Sequence, residues 1–163
     1  MWKVKFFKTA SCSVTVTAKD DGKTPGQKYY EEKYPGKNVV IVDEGGGALL
    51  GTDGDDVLVG GEGDDWLEGG EGDDIYVYNP GGGHDVISNV SGGEGQRDEL
   101  HFGPGIASDD LGFAREDDDL VITVLDKDGI ETGSVTVEDW YLSDDNKLSK
   151  IVFDDGSELS AVS

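Results

Sequence analysis

Cysteine is nearly absent from this chain: Cys12 is the only one in 163 residues. A lone thiol excludes an internal disulfide framework. If the protein works outside the cell, something else must staple it, and a metal ion is the usual substitute. Cys12 has no His partner and no nucleophile signature, so it reads as a buried or idle thiol. Histidine is almost as scarce. His84 and His101 read as structural, and with Cys12 they cannot by themselves make a standard zinc site. Basic charge is short as well, with 13 Lys and Arg against 36 Asp and Glu and a formal net charge of -23. Such a surface repels nucleic acid and anionic membranes, attracts cations, and destabilises any compact state that leaves it unneutralised. No apolar run reaches the roughly 18 residues needed to span a membrane. The opening MWKVKFFKTASCSV alternates polar with apolar residues and lacks the apolar core of a signal peptide, so an export address must lie elsewhere. No P-loop, nucleophile elbow or zincin motif is present. No residue is assigned to catalysis, and the chain reads as something other than an enzyme.

Glycine, by contrast, is abundant, with 26 residues, and its distribution divides the chain in three. Residues 1–44 have ordinary composition and hold most of the basic residues. WKVKFFKT and SVTVTA alternate as strands do. PGQKYYEEKYPGK predicts a short helix, opened by Pro25 and ended by Pro35-Gly36. NVVIVDE predicts a third, more buried strand. The result is a small ββαβ-like unit. Residues 93–163 return to hydrophobic alternation. DLVITVL and GSVTVEDWY predict a hairpin around Asp128-Gly129, and SKIVFDDGSEL predicts another around Asp155-Gly156. This part reads as an all-β cap.

Between them, residues 45–92 repeat every nine positions. GGEGDDWLE at 60–68 and GGEGDDIYV at 69–77 are full copies; GTDGDDVLV at 51–59 differs by Thr52. VDEGGGALL at 42–50 keeps Gly45 and Leu49, and NPGGGHDVIS arrives two residues late with Gly81, Gly83, Asp85 and Ile87. The sixth position carries Asp56, Asp65, Asp74 and Asp85. The eighth carries Leu49, Leu58, Leu67, Tyr76 and Ile87. That phase predicts a turn of about six residues, then a three-residue strand, with two nonapeptides completing one coil. The eighth positions point inward and stack as a thin core. The glycines admit positive φ and close backbone approach.

Calcium suits these residue types. It takes six to eight oxygens, mixed from carboxylates and carbonyls, at about 2.3–2.6 Å. One turn offers too few, so an ion should sit between turns stacked 18 residues apart. Two sites follow. One takes Thr52, Gly54 and Asp56 with Gly70, Gly72 and Asp74. The other takes Gly61, Gly63 and Asp65 with Gly81, Gly83 and Asp85. In each triplet the first two residues give carbonyls and the aspartate gives its side chain. Asp65 and Asp85 are 20 apart, so Asn79-Pro80 must loop out. The seventh and ninth positions should face outward, yet they include Val57, Val59, Trp66, Ile75 and Val77. An apolar strip of that kind marks a contact surface, to be covered by the carboxy-terminal strands or the amino-terminal unit.

GGEGDDWLE and GGEGDDIYV resemble the GGxGxDxUx nonapeptide of RTX (repeats-in-toxin) proteins, the haemolysin-type calcium-binding repeats, a calcium-binding β-helix motif. Most of residues 98–158, including DELHFGPGIASDDLGFAREDDDLVITV and VTVEDWY, resembles the flank that follows such arrays. The resemblance implies a mainly β fold: a parallel β-roll of RTX repeats over 45–92, an all-β carboxy-terminal cap over 93–163 and the small unit at 1–44. It also implies about two structural Ca2+ ions and secretion from a Gram-negative cell. The partner would be the type I secretion machinery, which reads an uncleaved carboxy-terminal signal. The chain would stay unfolded in the calcium-poor cytosol and fold on external calcium. A larger parent polypeptide is a further expected partner.

An acidic flexible linker would explain the composition of the repeat but neither its phase nor its apolar eighth position. DKDGIET reads as a hairpin turn, because an EF-hand register would put Val124 and Val135 where acidic ligands belong. REDDDL at 115–120 reads as a solvated turn, with an accessory calcium loop as the alternative. Tyr29, Tyr30 and Tyr34 have helical spacing and read as packing. Two rival functions remain: an adhesin or surface-protein fragment that presents the roll as a binding surface, and a small toxin or effector with its activity in residues 1–44.

Overall fold

A computed structural model describes residues 22–42, 45–89 and 96–160. The strands expected in WKVKFFKT and SVTVTA, and Cys12 with them, lie outside the described residues. The first element among the described residues is the expected helix, α1 (Pro25–Lys33). Thr24 caps it by accepting the Gln27 N–H at 3.1 Å, and Pro25 supplies a preset φ with no amide to leave unpaired.

Twelve strands follow among the described residues, arranged in two six-stranded sheets. The first sheet runs β1 (Asn38–Ile41), β3 (Asp56–Val59), β5 (Ile75–Tyr78), β7 (Glu99–Phe102), β11 (Lys150–Val152) and β12 (Glu158–Ser160). The second runs β2 (Ala48–Leu50), β4 (Trp66–Glu68), β6 (His84–Ser88), β10 (Glu131–Val137), β9 (Asp119–Leu125) and β8 (Leu111–Glu116). Within the repeat every pairing is parallel. Val57 lies beside Ile75 and Ala48 beside Trp66, both 18 residues apart, while Trp66 lies beside Val86, 20 apart. Two nonapeptides therefore make one coil, and successive strands fall on alternate sheets. This is a parallel β-roll.

The eighth positions face inward: Leu49, Leu58, Leu67, Tyr76 and Ile87 are all buried. They form one core with Leu100 and Phe102 of β7, and with Ile122, Val135, Trp140, Leu148, Ile151 and Phe153 further along.

Two boundaries differ from the expected three-part division. The NVVIVDE strand forms as β1 and joins the roll, with Asn38 opposite Asp56, one 18-residue coil earlier. It has the coil spacing without the glycine turn, so its place was hidden. The carboxy-terminal strands do not lie over the roll. They continue both of its sheets, β10 pairing parallel with β6 and β11 parallel with β7. The two predicted hairpins are present, β9–β10 and β11–β12. The turn in REDDDL joins β8 to β9, with Asp117 at φ 55°.

The apolar strip on the outer face of the first sheet is covered by the amino-terminal helix. Val57, Val59, Ile75 and Val77 are buried with Val39 under Tyr30, with Tyr34 alongside. Tyr34 Oη and His101 Nδ1 lie 2.8 Å apart, and Asn79 donates to Tyr30 Oη at 2.9 Å. Glu99 Oε1 holds the other His101 nitrogen at 2.7 Å. Burial raises the Tyr34 hydroxyl above the usual phenol range. A neutral phenol there clamps the helix; it is no nucleophile. Trp66, on the second sheet, stays partly exposed.

Candidate metal centre

Each nonapeptide places two adjacent aspartates at the junction of turn and strand, and the two do different work. The sixth-position carboxylates reach back one coil. Asp74 Oδ1 accepts the Asp56 N–H at 2.8 Å, and Asp85 Oδ1 accepts the Asp65 N–H at 3.0 Å. The fifth-position carboxylates reach forward. Asp55 accepts the Asp73 N–H and Asp64 accepts the His84 N–H, at 2.9 and 2.8 Å. The Asp-Asp doublet thus stitches each turn to both neighbours.

The first predicted set comes together. A Cβ on Gly70 would lie 2.7 Å from the Thr52 carbonyl oxygen, and one on Gly72 would lie 2.6 Å from the Gly54 backbone. Both glycines have positive φ, 91° and 104°. Only glycine permits this stacking. Asp56 and Asp74 are both fully buried. Thr52 holds Asp56 from within its own turn, its N–H donating at 2.6 Å and its hydroxyl at 3.0 Å.

The second set comes together in part. Gly63 and Gly83 stack, a Cβ on Gly83 falling 2.6 Å from the Gly63 carbonyl oxygen. Asp65 and Asp85 are buried and joined. Gly81 does not stack: a Cβ there meets nothing within 4 Å, because the extra residues make a turn in which Gly82 N–H bonds to the Asn79 carbonyl. The Gly83 carbonyl already accepts from Tyr78 Oη at 2.8 Å and from Ser134 N–H at 3.0 Å. A carbonyl oxygen has two lone pairs, so Gly83 has none to spare. Of the expected set, Gly63, Gly83, Asp65 and Asp85 come together, the Gly83 carbonyl is already engaged, and Gly81 sits in the turn made by the extra residues.

Sequence reasoning missed Asp98. It is buried, and its Oδ1 accepts the Asp74 N–H at 2.7 Å. Asp98-Glu99-Leu100 keeps the sixth and eighth positions of the repeat, but at 24 residues from Asp74. It also missed Asn38, whose side chain donates to Asp56 Oδ1 at 2.8 Å at the start of the column.

These turns fit a hard cation. Asp65 Oδ2 and Asp74 Oδ2 are buried and accept no hydrogen bond. They belong to the two full GGEGDD copies, one on each side of the roll. A buried carboxylate oxygen without a partner is strongly unfavourable unless a cation compensates it. Burial pushes Asp74 and Asp85 up to about 7 and Asp98 up to about 6, and it raises Asp65. Among the described residues no three His, Cys, Asp or Glu side chains form a group that could hold a metal ion by themselves. The donors are carbonyls and separate carboxylates, the set calcium prefers.

The fold and the donor set define a class, a parallel β-roll whose glycine turns fit a hard cation. Residues 50–87 match the RTX calcium-binding nonapeptide repeat (4 copies), and residues 119–162 match the haemolysin-type calcium binding protein related domain. The chain thus carries an RTX calcium-binding nonapeptide repeat array, followed by a segment of the haemolysin-type calcium binding protein related kind. It is 38% identical over 87 residues to the iron-regulated protein FrpA of Neisseria meningitidis serogroup C, a match covering 52% of this chain and 7% of that protein. Among solved structures it is similar to the extracellular lipase LipA of Serratia marcescens, with 24% identity, a TM-score of 0.46, and coverage of 74% of this chain and 17% of the lipase. It is also similar to the AlgE6R3 subunit of the Azotobacter vinelandii mannuronan C5-epimerase, with 21% identity, a TM-score of 0.40, and coverage of 78% and 92%. The chain thus spans a small part of the length of FrpA and of the lipase. No helix among the described residues is long and apolar enough to cross a membrane.

Proposed function

We propose that this chain is a calcium-dependent folding module of a secreted protein, with no chemistry of its own. The observation that carries this reading is the pair of buried, unpartnered carboxylate oxygens, Asp65 Oδ2 and Asp74 Oδ2, in the two full repeats. The carbonyls of Thr52, Gly54, Gly70 and Gly72 with Asp56 and Asp74 would hold one ion, and Gly61 and Gly63 with Asp65 and Asp85 a second. Bound calcium supplies the positive charge that these buried carboxylates otherwise lack.

The rest is done by the chain. The Asp doublets set the distance between coils, and the stacked eighth positions form the core. With a net charge of -23, the roll has too little apolar burial to outweigh its own repulsion when the carboxylates are bare. Binding free energy then becomes folding free energy. Ligand at 100 times its dissociation constant adds about 2.7 kcal/mol per site. In a calcium-poor cytosol the chain stays extended and fits a type I export channel; outside, calcium folds it and keeps it from sliding back. The two ions are structural, the partners are calcium and the secretion machinery, and the location is extracellular.

Small-angle scattering tests the reading. A folded chain of this length has a radius of gyration of about 15 Å and an unfolded one about 42 Å. The expected result is a change from near the larger value in chelator to near the smaller in millimolar calcium. A compact particle in both would refute it.

A further inference from the structure

Three Asp-Gly pairs lie within the described residues: Asp53-Gly54, Asp128-Gly129 and Asp155-Gly156. An aspartate before glycine can convert to isoaspartate without an enzyme. The nitrogen of the glycine loses its proton and attacks the aspartate side-chain carboxyl carbon. Water leaves, and a five-membered succinimide closes. Water then reopens the ring at either carbonyl, giving back aspartate or leaving the main chain running through the side-chain carbon. Mass and charge are unchanged, and glycine is the most favourable neighbour because no Cβ obstructs the attack. Asp128 and Asp155 belong to hairpin turns, where a Cβ on the following glycine would meet nothing within 4 Å. Asp53 stands inside the repeat. At its position the two full copies carry Glu62 and Glu71 before their glycines. A glutamate would have to close a six-membered ring, which forms far more slowly.

The folded turn holds this reaction shut. The Gly54 N–H, whose nitrogen would attack, donates to Thr52 Oγ1 at 3.1 Å, and the same hydroxyl is bonded to Asp56 at 3.0 Å. The residues on either side of Asp53 are the two points where this turn touches the next coil. The Thr52 carbonyl oxygen lies 2.7 Å from where a Cβ on Gly70 would stand, and the Gly54 carbonyl lies 2.6 Å from the same point on Gly72. Pinned at both ends, the peptide plane between residues 53 and 54 cannot swing to present its nitrogen to the carboxyl carbon, and a reaction without its attack geometry is slow. With the roll unfolded, neither contact exists and the plane turns freely. The product would also be hard on the fold. Isoaspartate lengthens the main chain by one C–C bond, about 1.5 Å, between two contacts that are both fixed to one coil.

We propose that Asp53-Gly54 is a site of spontaneous isoaspartate formation, open while the roll is unfolded and closed once the 52–56 turn stacks on the 70–74 turn. A chain that isomerises first cannot bring Thr52 and Gly54 against Gly70 and Gly72 together. The time the chain can spend without calcium is therefore limited by this one peptide unit. Asp53 is exposed, so the protection comes from the conformation of the turn and not from exclusion of water. The inference rests on the reading of the roll as folded by calcium and goes beyond it, to a covalent change that the unfolded state admits.

The test keeps wild type and Asp53→Glu for days at neutral pH in chelator, in saturating calcium and in concentrated urea. Isoaspartate at each Asp-Gly pair is read by electron-transfer fragmentation mass spectrometry, and heavy-oxygen water marks each ring opening. In wild type, isoaspartate at 53 is expected in chelator and in urea. In calcium it should fall by at least about tenfold, because excess ligand depopulates the unfolded chain by more than that factor. Aged wild type should lose its calcium-driven circular dichroism change in proportion to isoaspartate at 53. Asp53→Glu carries the residue of the full repeats, so it is expected to fold on calcium as wild type does and to keep that response after ageing in chelator. That variant separates damage at 53 from damage at 128 and 155. Equal isoaspartate at 53 in calcium and in chelator, or none in urea, would overturn the proposal. So would wild type isomerised at 53 that still folds on calcium as fresh protein does. A roll already folded in chelator would instead overturn the underlying reading of the module; the urea arm would then still decide whether Asp53 isomerises only in the open chain.

Discussion

The backbone N–H of Asp56 is held by the carboxylate of Asp74 at 2.8 Å, one full coil away, and the second oxygen of that carboxylate is left buried without a partner. The first bond sets the stacking of the turns. The free oxygen, with its charge, is what an ion would use. Asp56 differs: its own second oxygen is held by the Thr52 N–H at 2.6 Å.

Asp74→Asn and Asp56→Asn should therefore differ. Asp74→Asn removes a buried charge whose second oxygen has no hydrogen-bond partner and which only the nearby Lys37 offsets. Its calcium midpoint is expected to rise by more than the roughly 10–100-fold that losing an outer-shell partner produces. Asp56→Asn is expected to shift less, since Thr52 already occupies that carboxylate. Calcium titrations of both variants by tryptophan fluorescence would measure the difference.

Two glycines separate turn packing from turn conformation. Gly72 and Gly129 both have positive φ, but a Cβ at Gly72 would meet the Gly54 backbone at 2.6 Å, while one at Gly129 meets nothing. Gly129→Ala should cost only the left-handed penalty of about 1–2 kcal/mol. Gly72→Ala should cost distinctly more and weaken calcium binding as well. Thermal unfolding in saturating calcium would rank them.

The helix should depend on the roll. At nine residues, α1 is below the length at which isolated helices hold in water. Its buried face is Tyr30, seated on Val57, Val59, Ile75 and Val77. Amide exchange at the Tyr34 N–H, which bonds to the Tyr30 carbonyl, is expected to be slow in calcium and fast in chelator. Equal protection in both would show that the helix is held independently of the roll.

Protons should partly replace calcium. Burial raises Asp74 and Asp85 to about 7 and Asp98 to about 6, well above the ordinary aspartate value of 3.8. A carboxyl raised on folding favours the folded chain when protonated. That contribution is fully present below the unfolded value and is lost as pH rises through the folded one. In chelator, β structure is expected to be greatest near pH 4 and to fall away towards pH 7. In limiting calcium the trend reverses, because the ion needs the ionised form. Circular dichroism across that range, with and without calcium, would follow both.

The repeat was legible because its chemistry is periodic. Asp56, Asp65 and Asp74 recur every nine residues, and the eighth-position residues that follow them are the ones the fold buries. The coil length of 18 followed from the same count. What escaped was coil structure outside the strict nine-residue phase. Asn38 and Asp98 occupy the ladder at the two ends of one column, yet Asn38 follows no repeat motif, and GGEGQRD at 92–98 sets Asp98 one residue out of the nonapeptide phase. A long segment between β7 and β11 also hides that both belong to one sheet. Gly81 and Gly83 were placed by spacing alone. Their carbonyls depend on how the two extra residues are absorbed and on Tyr78 and Ser134, which arrive from elsewhere in the chain. The cover over Val57 and Val77 was foreseeable as a need, but only packing decided that α1 supplies it.

The most direct test of the central claim is a calcium titration from chelator, followed by far-UV circular dichroism with magnesium as control. The account predicts a cooperative transition from disorder to β structure, driven by calcium at micromolar to millimolar concentration and not by magnesium. A spectrum already rich in β structure in chelator and unchanged by calcium would contradict it.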